Sequence, residues 1–183
     1  MNIIRALFLT TLMLGAGIAS GQTIGQSIRS SYDKDYDLSR LKTYDYKVEE
    51  REPSDLLATD TLMDQQIKDA LEDALRINSY HQSSDGAPDF LVSYRVTTKD
   101  VTAARRAPLR GLPGPRGNIQ IENYVQGMLI VDFIDSETGK LVWRGVASGI
   151  VGGDMVNFRV AEEKIKEASR SLLDRFRRDL RGR

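Results

Sequence analysis

Residues 124–150, YVQGMLIVDFIDSETGKLVWRGVASGI, decide how this chain folds. Met128 to Ile134 is apolar at every position but Asp132, and it is rich in β-branched and aromatic side chains. Such a run predicts a central strand covered on much of both faces. Asp135-Ser136-Glu137-Thr138-Gly139 then supplies turn formers, with Gly139 where a hairpin loop often needs a positive φ. Leu141-Val142-Trp143 resumes the strand, so the stretch reads as a long hairpin and holds the chain's single Trp.

Working outward, Asp89 to Thr98 predicts the strand before the hairpin, with Pro88 just ahead of it where a missing N–H does no harm. Thr61 and Asp64 resemble a capping box. Met63, Ile67, Ala70, Leu71, Ala74 and Leu75 then recur at helical spacing, which predicts an amphipathic helix to about Asn78. Leu41 to Val48 alternates as a half-buried strand, with Tyr44, Tyr46 and Val48 on one side. A weaker strand precedes it, after a polar lead-in at Gln22 to Arg29. Glu49 to Asp60, with Pro53, reads as a linker. Beyond Gly152-Gly153, Phe158, Ala161, Ile165, Ala168, Leu172 and Phe176 mark a second amphipathic helix, and the basic tail at 177–183 is expected to fray. The order β-β-α-β-β-β-α predicts an α+β fold: an open mixed or antiparallel sheet of about five strands with two helices on one face.

Residues 104–118, ARRAPLRGLPGPRGN, are the compositional outlier. They hold Arg105, Arg106, Arg110 and Arg116, three prolines, three glycines and no acid, which predicts a flexible basic loop.

Residues 1–21 read as a secretory signal peptide: Arg5, a short apolar core from Ala6 to Leu14, then small residues up to Gly21. Residues 22–183 then form one domain, expected in the periplasm or secreted, and with no membrane span left after cleavage. Loss of Arg5 leaves 25 basic against 26 acidic side chains, so bulk charge selects no partner and nucleic acid is not expected. With no cysteine there is no disulfide framework, thiolate metal site or lipid-accepting Cys.

Several pieces together resemble a known family: Leu41-Lys42-Thr43-Tyr44, Ile67-Lys68-Asp69-Ala70-Leu71, Pro88 to Tyr94, Gly127 to Asp135, and Thr138 to Gly145. In that order they resemble the bacterial domain of unknown function 4136, a family of exported and often lipid-anchored envelope proteins. The resemblance implies the fold and export and assigns no activity.

Candidate chemistry is sparse. His81, the sole histidine, sits in a Ser-rich segment with no Cys to complete a zinc site, and reads as a surface residue. Asp135 reads as a turn former and Trp143 as core. Asp132, a carboxylate inside an apolar strand, needs a partner, and Arg144 across the hairpin or Arg95 on another strand supplies one. No catalytic, metal or cofactor residue is assigned. The reading is a non-enzymatic module that contacts an anionic envelope component, or an envelope protein, through Arg105, Arg106, Arg110 and Arg116. A small hydrolase using Asp132 and Asp135, and a structural subunit associating through an open sheet edge, are the alternatives.

Overall fold

The computed structural model describes residues 27–48, 50–84, 86–108, 117–151 and 158–182. The expected leader at 1–21 lies outside them. The chain forms β1 (Ser27–Tyr32), β2 (Thr43–Tyr46), α1 (Thr61–Ile77), β3 (His81–Gln82), β4 (Phe90–Pro108), β5 (Gly117–Asp135), β6 (Leu141–Val151) and α2 (Phe158–Arg181). One six-stranded sheet runs in the order β1-β6-β5-β4-β2-β3. Its long strands pair antiparallel, whereas β2 runs parallel to β3 and β4. The α+β class is as expected; the sixth strand is the two-residue β3, too short to carry a pattern.

The period of two sorts the side chains. Register places Tyr44, Phe90, Val92, Val131, Phe133, Trp143 and Ala147 on one face, and these form the buried core. Ile67, Leu71, Ala74 and Leu75 of α1 and Ala168, Leu172, Leu173 and Phe176 of α2 complete it. Both helices therefore cover the same face. The rings of Phe133, Trp143 and Phe176 lie within 4.9–5.2 Å of one another, in tilted and edge arrangements that aromatic quadrupoles favour. Among the described residues no helix lies on the opposite face, contrary to the expectation of cover on both sides. Met128, Ile130 and Ile134 are half-buried there among neighbouring side chains.

The turn matches its chemistry: Gly139 has φ +69°, its N–H donates to Asp135 O at 2.9 Å, and Asp135 Oδ1 accepts from Thr138 N at 2.7 Å. A bulge at Val142, between the Phe133 and Ile134 pairings, puts that side chain in the core as well.

Five local expectations need correction. The capping residue of α1 is Asp60, whose side chain accepts from Met63 N at 2.9 Å, so Thr61 opens the helix proper. Val48 is 97 % exposed because it lies past the end of β2. The supposed linker contains a 3-10 turn at Leu56–Ala58 and buries Asp55 and Leu57. The tail does not fray at 177: α2 runs to Arg181 because Asp179 is held in the core by Trp143. The basic segment 104–118 is not a loop throughout, since β4 continues to Pro108 and β5 starts at Gly117. Thr97, Thr98, Val101 and Thr102 on β4, and Ile119 and Ile121 on β5, supply β-branched residues to both strands, and that local preference outweighed the arginines.

Gly145 faces α2, and a Cβ built there would lie 2.8 Å from Leu172 Cδ2 and against the Trp143 ring. Gly145→Ala is expected to lower urea-unfolding stability by about 1–3 kcal/mol through overpacking. Unchanged stability would mean that α2 does not lie over β6.

Candidate functional site

The most elaborate polar site lies at the free edge of β4, where β2 stops after Tyr46. Main-chain groups there need partners. Lys47 N donates to Val92 O at 3.0 Å, continuing the ladder by one step. Side chains then replace the strand. Arg51 Nη1 donates to Tyr94 O at 3.2 Å and to Asp55 Oδ2 at 2.7 Å, while Nη2 donates to Asp64 Oδ1 at 2.5 Å. Asp55 Oδ1 accepts from Val96 N at 3.0 Å and Leu57 N at 3.1 Å. Tyr94 donates its hydroxyl to Asp64 at 2.8 Å, and the Arg51 guanidinium stands 5.1 Å from its ring centre. Burial, then Asp64, pushes the Tyr94 hydroxyl well above its ordinary range. It stays a neutral donor.

This network borders a cavity of about 340 Å³ lined also by Tyr46, Lys47, Lys68 and Arg95. Beyond Val96 no strand lies beside the outer edge of β4 among the described residues. Sequence reasoning missed Arg51, Asp55 and Asp64. The only signal was Asp55 ahead of Leu56-Leu57, an N-cap followed by apolar residues inside a presumed linker.

Asp132 pairs with Arg144 as the hairpin register required. The contact is bidentate, Nε to Oδ1 at 2.6 Å and Nη2 to Oδ2 at 2.7 Å, and Arg95 Nη1 adds a third bond at 3.4 Å. Both expected partners are thus used. The pair stands on the helix-free face, where Asp132 is only 5 % exposed. The Asp132 contact raises the Arg144 pKa.

Asp135 is a turn residue in fact: it accepts from Thr138 Oγ1 at 2.6 Å and from the Tyr36 hydroxyl at 2.5 Å. Thr138 first, then Tyr36, holds its carboxyl below the usual range, while burial and Asp135 push Tyr36 up to about 12. Neither Asp132 nor Asp135 borders the edge cavity or a second, open one of about 570 Å³. The second is lined by Tyr44, Asp69, Glu72, Asp73, Arg76, Tyr80, Gln82 and His81, and His81 is exposed on β3. No group of three or more His, Cys, Asp or Glu is placed to hold a metal ion among the described residues.

Arg105 and Arg106 belong to β4, paired with Gln120 and Ile119. Arg110 and Arg116 lie outside the described residues. The eight pairs from Val101↔Tyr124 to Pro108↔Gly117 stand past Val151, the last residue of β6, as a two-stranded ribbon. At about 3.4 Å per residue it extends roughly 24 Å. No described helix is long and apolar enough to cross a membrane.

Such geometry defines an α+β sheet scaffold, backed by helices on one face, whose buried carboxylates serve structure. The chain belongs to the family of a domain of unknown function, DUF4136, whose model matches residues 28–176. No curated protein matches it in sequence. In structure it is similar to a PDZ domain protein from Parabacteroides distasonis ATCC 8503, with 11% identity and a TM-score of 0.51 over 80% of this chain. The match covers 35% of that protein, so this chain spans about a third of its length, and the likeness concerns the fold alone. PelC dodecamers from Paraburkholderia phytofirmans, in two crystal forms, match at 12% identity with TM-scores of 0.39 and 0.41. Those matches cover 81% of this chain and 98% of PelC, and are too distant to bear on function.

Arg51→Ala leaves Asp55 Oδ2 and Tyr94 O without their arginine donor and is expected to destabilise by about 2–3 kcal/mol in urea unfolding. Arg51→Lys, which offers a point charge where a fork is needed, should recover less than half of that. A loss below about 0.5 kcal/mol would reduce the network to an ordinary surface ion pair.

Tyr36 and Tyr94, neutral when folded, give stability that is present below the unfolded value of 10.0 and lost as pH rises through their raised folded values. The urea midpoint should therefore fall above pH 10, and the double variant Tyr36→Phe/Tyr94→Phe should lessen that fall, the rest coming from the buried Tyr44, Tyr46 and Tyr80. Asp135, with its depressed pKa, gives stability that is lost as pH drops below 3.8. An alkaline fall identical in the double variant would contradict the assignment.

Proposed function

We propose that this protein is a non-enzymatic accessory module of the cell envelope, exported to the periplasm or secreted, which binds an anionic envelope component through the β4–β5 ribbon. The observation that carries this reading is the projection of the ribbon beyond β6 together with its charge. Over the ribbon and its tip, from Val101 to Tyr124, the chain contains four arginines and one acid, Glu122. A two-stranded ribbon is only marginally stable in water, so contact with a partner along it is favourable. Arginine forks recognise phosphate and carboxylate groups, and each cation near an anionic surface contributes about 1 kcal/mol. The leader-like pattern of residues 1–21 supports export. Engagement of Asp55, Asp132, Asp135 and Asp179 in ion pairs and turns favours a binding role over acid-base catalysis.

A second reading, self-association through the sheet edge, draws support from the outer edge of β4, which lacks a neighbouring strand beyond Val96 among the described residues. It requires a concentration-dependent dimer in sedimentation. A monomer at high concentration would exclude it.

For the first reading, replacing Arg105, Arg106, Arg110 and Arg116 by Ser is expected to weaken retention on lipopolysaccharide-containing outer-membrane vesicles at least tenfold, with an unchanged melting temperature. Equal retention would remove the ribbon from the binding role.

A further inference from the structure

The helix-free face of the sheet carries a charge pattern that neither the fold nor the ribbon reading uses. Register places Arg95 of β4, Ile130 of β5, Val146 of β6 and Arg29 of β1 in one row across the sheet. Asp132 and Arg144 occupy the adjacent row, and Lys99 lies on the same face farther along β4. Outside the ribbon, the strand residues of this face therefore hold four cations, Arg29, Arg95, Lys99 and Arg144, against two carboxylates, Asp45 and Asp132. The whole chain, by contrast, has 26 basic and 26 acidic residues. The excess is local to the face.

The carboxylates do not neutralise it. Asp45 accepts from Tyr46 N and Gln82 Nε2, and Asp132 is already shared between two guanidiniums. Arg144 engages Asp132 through Nε and Nη2, and Arg95 through Nη1 alone. The side chains of both arginines are 37% exposed, and Arg29 and Lys99 are exposed. Asp132 thus acts as an anchor that fixes two guanidiniums on a rigid sheet and leaves donors turned to solvent. Arg29 and Arg95, three strand spacings apart, are separated by about 14 Å.

We propose that this face docks on an anionic phospholipid surface, with Arg29, Arg95, Arg144 and Lys99 meeting headgroup phosphates. Charge complementarity selects the occupant. The cations are spread over a flat area, which suits laterally mobile headgroups that move to fixed charges and need no shaped groove. A partner helix would need a continuous apolar stripe to bury, and the central column of β5 is interrupted by Asp132 between Ile130 and Ile134. The proposal stands on side chains separate from the ribbon arginines.

The test is vesicle co-sedimentation of the purified protein carrying Arg105→Ser, Arg106→Ser, Arg110→Ser and Arg116→Ser, so that the ribbon contributes nothing. This parent should partition onto mixed phosphatidylcholine–phosphatidylglycerol vesicles, release with added salt, and ignore pure phosphatidylcholine. Adding Arg29→Gln and Arg95→Gln should lower partitioning about 25-fold, from about fivefold per charge, while Arg29→Lys and Arg95→Lys should retain it. Retention by the Lys pair separates lost charge from lost folding. No binding by the parent, equal binding to pure phosphatidylcholine, or equal binding by the Gln pair would overturn the proposal. The first result would leave a protein segment as the occupant, and none of the three touches the ribbon reading, which has its own vesicle test.

Discussion

The indole of Trp143 is wholly buried and donates its N–H to Asp179 Oδ2 at 2.9 Å, joining the middle of β6 to the last turns of α2. An indole N–H taken out of water needs an acceptor, and a carboxylate taken out of water needs more than one donor. Arg175, one helical turn earlier, supplies the second at 3.1 Å and also donates to Ser30 on β1. Phe133 and Phe176 pack on the ring, and Gly145 lets Leu172 approach. These contacts fix α2 over β6 and decide which face of the sheet is covered. Everything on the other face then follows from alternation: Asp132 and Arg144 pair away from the helices because Val131, Phe133, Trp143 and Gly145 point toward them.

Much of this was legible in the residues. The run from Met128 to Ile134 is a central strand, the Asp135–Gly139 turn has its Gly at positive φ, and both helices show their apolar stripes with heptad-like clarity. The need of Asp132 for an arginine partner was legible as well, since a buried carboxylate demands a cation, but its place opposite Arg144 depends on the bulge at Val142, which the turn length does not report. Resemblance to the family was carried by these same pieces, which is why fold and membership agree.

What stayed hidden depended on contacts distant in sequence. Arg51 and Asp55 act as a substitute strand for β4, a role with no periodicity of its own, because it is set by where β2 ends. The tail at 177–181 looked like a frayed basic run; one residue in it, Asp179, is tied to a Trp 36 positions earlier, and no local propensity reports that. Composition misled at Arg105 and Arg106, where prolines, glycines and charge suggested a loop while cross-strand partners held a ladder. In each case a tertiary contact overrode a local preference.

Because Trp143 is the only Trp, its fluorescence reports directly on the contact that orders the sheet. The arrangement predicts blue-shifted emission that acrylamide quenches poorly, with a red shift and ready quenching once Asp179 is changed to Ala or residues 177–183 are removed. Emission typical of a water-exposed indole in the intact protein, or emission indifferent to both changes, would contradict the placement of α2 on which the covered and bare faces depend.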